Sequence, residues 1–105
     1  MQEIDPARAQ DMLAAPGNAV LLDVREGWEL KIAALPGALH IPMQDVPDRL
    51  SELDHDADLI IFCHHGNRSR VVARYLEQNG FDRVFNLAGG IDAWAQQIAN
   101  DMAEY

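Results

Sequence analysis

A single cysteine, Cys63, and a single lysine, Lys31, occur in this chain of 105 residues. One thiol cannot form an intrachain disulfide or a cysteine-only metal cage. The single lysine, with a net charge of -9, argues against binding to nucleic acid or to an anionic membrane. No apolar run approaches the roughly 20 residues that span a bilayer. Met1-Gln2-Glu3 lacks the basic-then-apolar layout of a secretory leader. These absences make the reducing cytoplasm the expected setting. Internal repeats, low-complexity tracts and Pro/Gly/Ser linkers are also missing, so residues 1–105 are expected to form one domain.

What is present reads as alternating strands and helices. A short strand near Glu3-Ile4 precedes Asp5-Pro6, an N-cap followed by proline in the first helical turn. That helix is expected to reach about Ala15 and stop at Pro16-Gly17. Ala19 to Val24 and Asp58 to Phe62 read as buried strands, with short strands also at Ala38–Ile41 and Arg83–Leu87. Between them, Arg25 to Leu35 is read as loop with a helical turn, and Asp45 to Leu53 as a short amphipathic helix presenting Val46, Leu50 and Leu53. A helix is expected over Ser69–Asn79. In a last one, Ile91, Trp94, Ile98 and Met102 share a core-facing side, and Asp101 to Tyr105 are expected to fray. Connections too long for hairpins give an α/β class: three layers, a mostly parallel sheet of about five strands, helices on both faces.

The chemistry concentrates at Cys63-His64-His65-Gly66-Asn67-Arg68-Ser69. The thiol follows the apolar run Leu59-Ile60-Ile61-Phe62 and precedes a helix, so it sits at the carboxyl end of a strand, on a loop that becomes a helix N-terminus. Open α/β sheets bind ligands there, and free backbone N–H groups collect there to hold an anion. Successive loop amides, the helix dipole and Arg68 all favour the thiolate. Arg68, Arg70 and Arg74 fall within seven residues just after the cysteine of an otherwise acidic chain. Cations in a first helical turn oppose its dipole, so the arrangement calls for something negative nearby.

Four separated elements then fall in the order of a known pattern. Leu22-Asp23-Val24-Arg25-Glu26 with Glu29, Pro36 to Pro42, the loop Cys63 to Ser69, and Gly80-Phe81 with Leu87 to Trp94 together make the chain resemble a single-domain rhodanese, a sulfurtransferase. The resemblance implies a rhodanese-like fold and a mechanism. Cys63 takes the outer sulfur of a small anionic donor such as thiosulfate, becomes a persulfide, and passes the sulfur to cyanide or to a thiol such as thioredoxin or glutathione. It further implies that His64, His65, Gly66, Asn67, Arg68 and Ser69 bind substrate, with Asp23 and Arg25 supporting the site. Neither a cofactor nor a metal is implied, and a monomer is the default. Two positions depart from the pattern: Gly27 where a proline is common, and Ala33-Ala34-Leu35 where Gly-His-Ile is usual.

Rival readings are weaker. Cysteine-dependent phosphatases and arsenate reductases place five residues between cysteine and arginine, whereas four separate Cys63 from Arg68. A non-catalytic binding module of the same fold is the other alternative, against which stand Cys63, Gly66 and Arg68. Metal binding by Cys63, His64 and His65 is disfavoured because neighbours on a tight loop converge poorly on one ion. Asp54, Asp56 and Asp58 lack the glycine and glutamate of a calcium loop. His40 reads as a hydrogen-bonded structural residue and His55 as exposed; for Trp28 the sequence leaves both exposure and packing on the site open.

Overall fold

The computed structural model describes residues 1–105. Five parallel strands form one sheet in the order β1-β5-β4-β2-β3. They are β1 (Gln2–Ile4), β2 (Ala19–Asp23), β3 (Leu39–His40), β4 (Asp58–Phe62) and β5 (Val84–Leu87). The helices are α1 (Pro6–Ala14), α2 (Gly27–Leu30), α3 (Asn67–Gln78) and α4 (Gly90–Gln97). No helix is long and apolar enough to cross a membrane.

The sheet is apolar on both faces because its central strand β4 is. Leu59 and Ile61 join Leu22, Val72, Ala73 and Leu76 on the α3 side, and Cys63 continues that alternation just past the strand. Ile60 and Phe62 point the other way, into a cluster with Ala9 of α1 and Ile91 of α4. Each of the buried Leu, Ile, Val and Phe side chains contributes about 1.5–3 kcal/mol relative to exposure. The register aligns Asp23 of β2 with Phe62 of β4, so both strands end at the same level. The Val24 N–H donates to Phe62 O at 3.1 Å, which carries the pairing one residue further. Cys63 and Arg25 therefore leave the sheet on the same edge.

Local signals explain most element boundaries. Asp5 caps α1 by accepting from Arg8 N at 2.8 Å, with Pro6 in the first turn. Helix α3 starts at Asn67 rather than Ser69 because Gly66, with φ +102°, makes the turn that a residue with a side chain adopts only under strain. The expected amphipathic helix over Asp45–Leu53 does not form. Two short 3₁₀ segments, Met43–Asp48 and Leu50–Glu52, take its place. Pro47 lies inside the first and can neither donate an α-helical hydrogen bond nor fit under the preceding carbonyl. Val46 and Leu53 still reach the core.

The last helix is also shorter than its apolar face suggested. It ends at Gln97, and Ile98 and Ala99 both donate to Trp94 O as the chain turns. Met102 still packs on the cluster around Ile60 and Phe62. Asp101 to Tyr105 do not simply fray: Tyr105 folds back onto the edge of the sheet that carries Cys63.

Candidate active site

Cys63 is 1% exposed, its sulfur enclosed by the turn that follows β4. Two backbone amides aim at Sγ, Gly66 N at 3.1 Å and Ser69 N at 3.4 Å. The Ser69 hydroxyl lies 3.3 Å from the same atom. Of the amides from His64 to Ser69, these two meet the sulfur. Behind Ser69 stands Asn86 of β5, fully buried, whose Oδ1 accepts from Ser69 Oγ and whose Nδ2 donates to Gly66 O at 3.1 Å and Glu3 Oε1 at 2.9 Å.

The start of α4 holds the other side of the loop. Ile91 N–H donates to Cys63 O at 2.9 Å and Asp92 N–H to His64 O at 3.1 Å. This approach requires Gly90, since a Cβ there would fall 2.5 Å from Cys63 O, and its φ is +63°. The Gly89-Gly90 pair is thus a turn into α4 and also the seat of the cysteine loop.

Arg68 does not face the sulfur as an unpaired charge. Its guanidinium makes two hydrogen bonds to Glu29, at 2.7 and 2.8 Å. Those bonds, against the opposing effect of burial, hold the Glu29 carboxyl down to about 2, with further help from a backbone hydrogen bond and the Tyr105 hydroxyl. The same pairing raises Arg68. Arg70 pairs with Glu3 at 2.6 Å, whereas Arg74 is exposed. The negative groups that the basic start of α3 calls for are therefore carboxylates from distant parts of the chain.

Asp23 and Arg25 form a buried pair, with Arg25 Nη2 2.7 Å and Nε 2.9 Å from the carboxylate. Burial opposes the Arg25 charge, but hydrogen bonds to Asp23 and Tyr105 outweigh it and raise the group. Arg25 also donates to Ala33 O at 2.9 Å and to the Tyr105 hydroxyl at 3.0 Å, and that hydroxyl donates to Glu29 Oε1 at 2.8 Å. A single chain of contacts runs Asp23, Arg25, Tyr105, Glu29, Arg68. Asp23 and Arg25 thus connect to Arg68 of the loop through Tyr105 and Glu29. His40 Nε2 lies 2.7 Å from Arg25 O, the structural role its sequence suggested.

His64 stacks between Tyr105 (3.7 Å between ring centres, 6° between planes) and His65 (3.8 Å, 27°). Burial, and then the neighbouring His65, lower its pKa from the ordinary imidazole value. His65 is exposed and lies 4.0 Å from Asp92. Asp92, rather than Cys63, is the third potential metal ligand that joins the two histidines. Trp28 is 60% exposed and meets the Tyr105 ring edge-on at 6.2 Å. His55 is exposed, stacked on Phe81.

Sequence reasoning passed over Asn86, Asp92 and Tyr105. A signal existed for Asn86, an amide in the middle of the apolar strand Val84-Phe85-Asn86-Leu87, where an unpaired polar group is costly and so implies a partner. Tyr105 lies beyond the last helix and carried no such sign.

A parallel sheet that presents one thiol to converging amides at the carboxyl end of its central strand defines a class: α/β domains built around a cysteine loop. The chain belongs to the Rhodanese-like domain family, whose model it matches over residues 5–97. It is 41% identical to a sulfurtransferase of Allochromatium vinosum over 96 residues, 91% of this chain and 90% of that one. It is 38% identical to the thiosulfate sulfurtransferase GlpE of Actinobacillus succinogenes, covering 88% and 82% of the two chains. The crystal structure of a rhodanese-like domain protein from Staphylococcus aureus superposes with a TM-score of 0.83 at 34% identity, covering 90% of this chain and 91% of that one. The rhodanese-like architecture expected from the sequence is the one observed.

Proposed function

We propose that this chain is a sulfurtransferase that carries a sulfane sulfur on Cys63 in the reducing cytoplasm. The observation that carries the reading is the pair of amides, Gly66 N–H and Ser69 N–H, converging on Sγ. The names of its relatives, sulfurtransferase and thiosulfate sulfurtransferase, support the same reading.

In the first half-reaction the Cys63 thiolate attacks the outer sulfur of thiosulfate. A new S–S bond forms at Cys63, the donor's S–S bond breaks, and its electron pair leaves with sulfite. The persulfide that remains is an anion one sulfur longer, and the loop amides are its hydrogen-bond donors. In the second half-reaction a thiolate acceptor, thioredoxin or glutathione, attacks the outer sulfur. The persulfide bond breaks and its electrons return to Cys63 as thiolate. Cyanide performs the same step and leaves as thiocyanate. Arg68, held by Glu29, adds positive charge near the loop, and His64, His65 and Asn67 line its mouth, where they select a small anionic donor. Asp23 and Arg25 position Glu29 through Tyr105. No cofactor takes part.

Intact-protein mass spectrometry after incubation with thiosulfate tests this. The expected result is a gain of one sulfur, reversed by cyanide or dithiothreitol and absent from Cys63→Ser. No gain with thiosulfate or with glutathione persulfide, from a thiol that still alkylates, would favour a binding module that keeps the fold without the chemistry.

A further inference from the structure

Three side chains beside the cysteine loop carry donor atoms that the sulfur transfer leaves without a proton to move or a bond to form: His64, His65 and Asp92. One ring nitrogen from each histidine and one carboxylate oxygen all lie within 4.8 Å of one another. His65 Nε2 is 4.0 Å from Asp92 Oδ2. A separate observation points to an occupant. His64 Nε2 is buried and has no hydrogen-bond partner, although buried ring nitrogens are normally satisfied. The backbone also fixes the relative placement of two of the three ligands, because Asp92 N–H donates to His64 O at 3.1 Å.

We propose that His64, His65 and Asp92 form a binding site for a transition-metal dication of the Zn²⁺ type at the mouth of the cysteine loop. Two imidazoles and one carboxylate suit Zn²⁺, Cu²⁺ or Ni²⁺ over Mg²⁺ or Ca²⁺, which take oxygen ligands. Three protein ligands leave a fourth tetrahedral position to water. Metal–ligand bonds of about 2.0–2.1 Å in a tetrahedron put donors about 3.3 Å apart, so the widest present gap closes by roughly 1.5 Å. His65 can supply that movement: its side chain is 59% exposed and held by its stack on His64 and its approach to Asp92. Swinging onto the ion unstacks it from His64. The site is independent of whether Cys63 carries sulfur.

The test is isothermal titration calorimetry of the full chain, thiol reduced, with Zn²⁺ alone, comparing wild type, His65→Ala, Asp92→Asn and Cys63→Ser. Circular dichroism melts check that each variant folds. The expected result is one ion per chain in wild type and in Cys63→Ser, and affinity weakened by more than about tenfold in both His65→Ala and Asp92→Asn. Co²⁺ in place of Zn²⁺ is expected to give a four-coordinate visible spectrum without a sulfur charge-transfer band. Absence of binding to wild type, retention of affinity by either His65→Ala or Asp92→Asn, or loss of binding in Cys63→Ser would each overturn the proposal. The last of these would place the metal on the thiol.

Discussion

The Ser69 hydroxyl donates its one proton to Asn86 Oδ1, 2.5 Å away, and so turns a lone pair toward Cys63 Sγ. The direction follows from Asn86, whose amide nitrogen is committed to Gly66 O and Glu3 Oε1, leaving only its oxygen for Ser69. With Cys63 as a thiol, S–H is the donor to Ser69 Oγ. When the sulfur becomes an anion, the hydroxyl can serve it only by leaving Asn86. The state of the sulfur is thus coupled to a buried amide on a neighbouring strand.

Ser69→Ala removes that hydroxyl and leaves Asn86 Oδ1 buried without a donor. The expected loss is about 1–3 kcal/mol of stability, seen as a lower urea midpoint. Persulfide formation slows but survives, because both amides on Sγ belong to the backbone. Complete loss of sulfur loading in a folded Ser69→Ala protein would show that the hydroxyl, not the amides, is the essential donor.

Glu29→Gln tests the clamp on Arg68 through its pH dependence. The Glu29 carboxyl is lowered from 4.5 to about 2 in the folded chain, so its ionised form is stabilised by folding. That contribution is complete above about pH 4.5 and is lost as pH falls toward about 2. Wild type is therefore expected to lose stability across that interval, and Glu29→Gln to show a flatter profile there and a lower midpoint at pH 7. Parallel urea curves at pH 7, 4 and 3 measure it; identical slopes in the two proteins would count against the clamp.

Gly27→Pro is expected to stabilise the chain by about 0.4–1 kcal/mol. Gly27 is the first residue of α2, no atom lies within 4 Å of where its Cβ would stand, and Glu26 before it is already extended. A proline fits all three conditions. A lower melting temperature would show that Gly27 is needed for movement or for a contact of its N–H.

Gly90→Ala is expected to damage both stability and sulfur loading. The left-handed backbone alone costs about 1–2 kcal/mol with a Cβ, and the added methyl collides with Cys63 O and pushes the loop off α4. Gly80→Ala is the control: its φ is also positive at +91°, but nothing lies within 4 Å of its Cβ. Comparable loss of sulfur loading in both folded variants would remove the special role given to Gly90.

The strand, cysteine loop and helix over residues 58–78 were legible because their signals are local: an apolar run, a glycine turn, then helical spacing. The failure at Asp45–Leu53 is instructive, since its apolar spacing was helical but Pro47 removed the hydrogen bond that spacing presumes. The site's second layer was not legible. Glu29 meets Arg68 across 39 positions and Tyr105 across 76, and Ser69 meets Asn86 across 17. Pairings at that separation depend on strand order, which no local pattern encodes. The three arginines gave a partial clue by demanding negative partners without saying which.

Helix α4 puts no side chain on the Cys63 sulfur, yet its first amides pin the Cys63 and His64 carbonyls from behind while the loop's own amides look at the sulfur. The peptide dipoles are consequently aligned before any charge arrives, and little reorganisation is needed when the sulfur gains one. The arrangement also joins chemistry to fraying. If α4 opens by local unfolding, the cradle loses its backing while the sheet still stands. On gentle heating, loss of sulfur loading is therefore expected to precede loss of the fold.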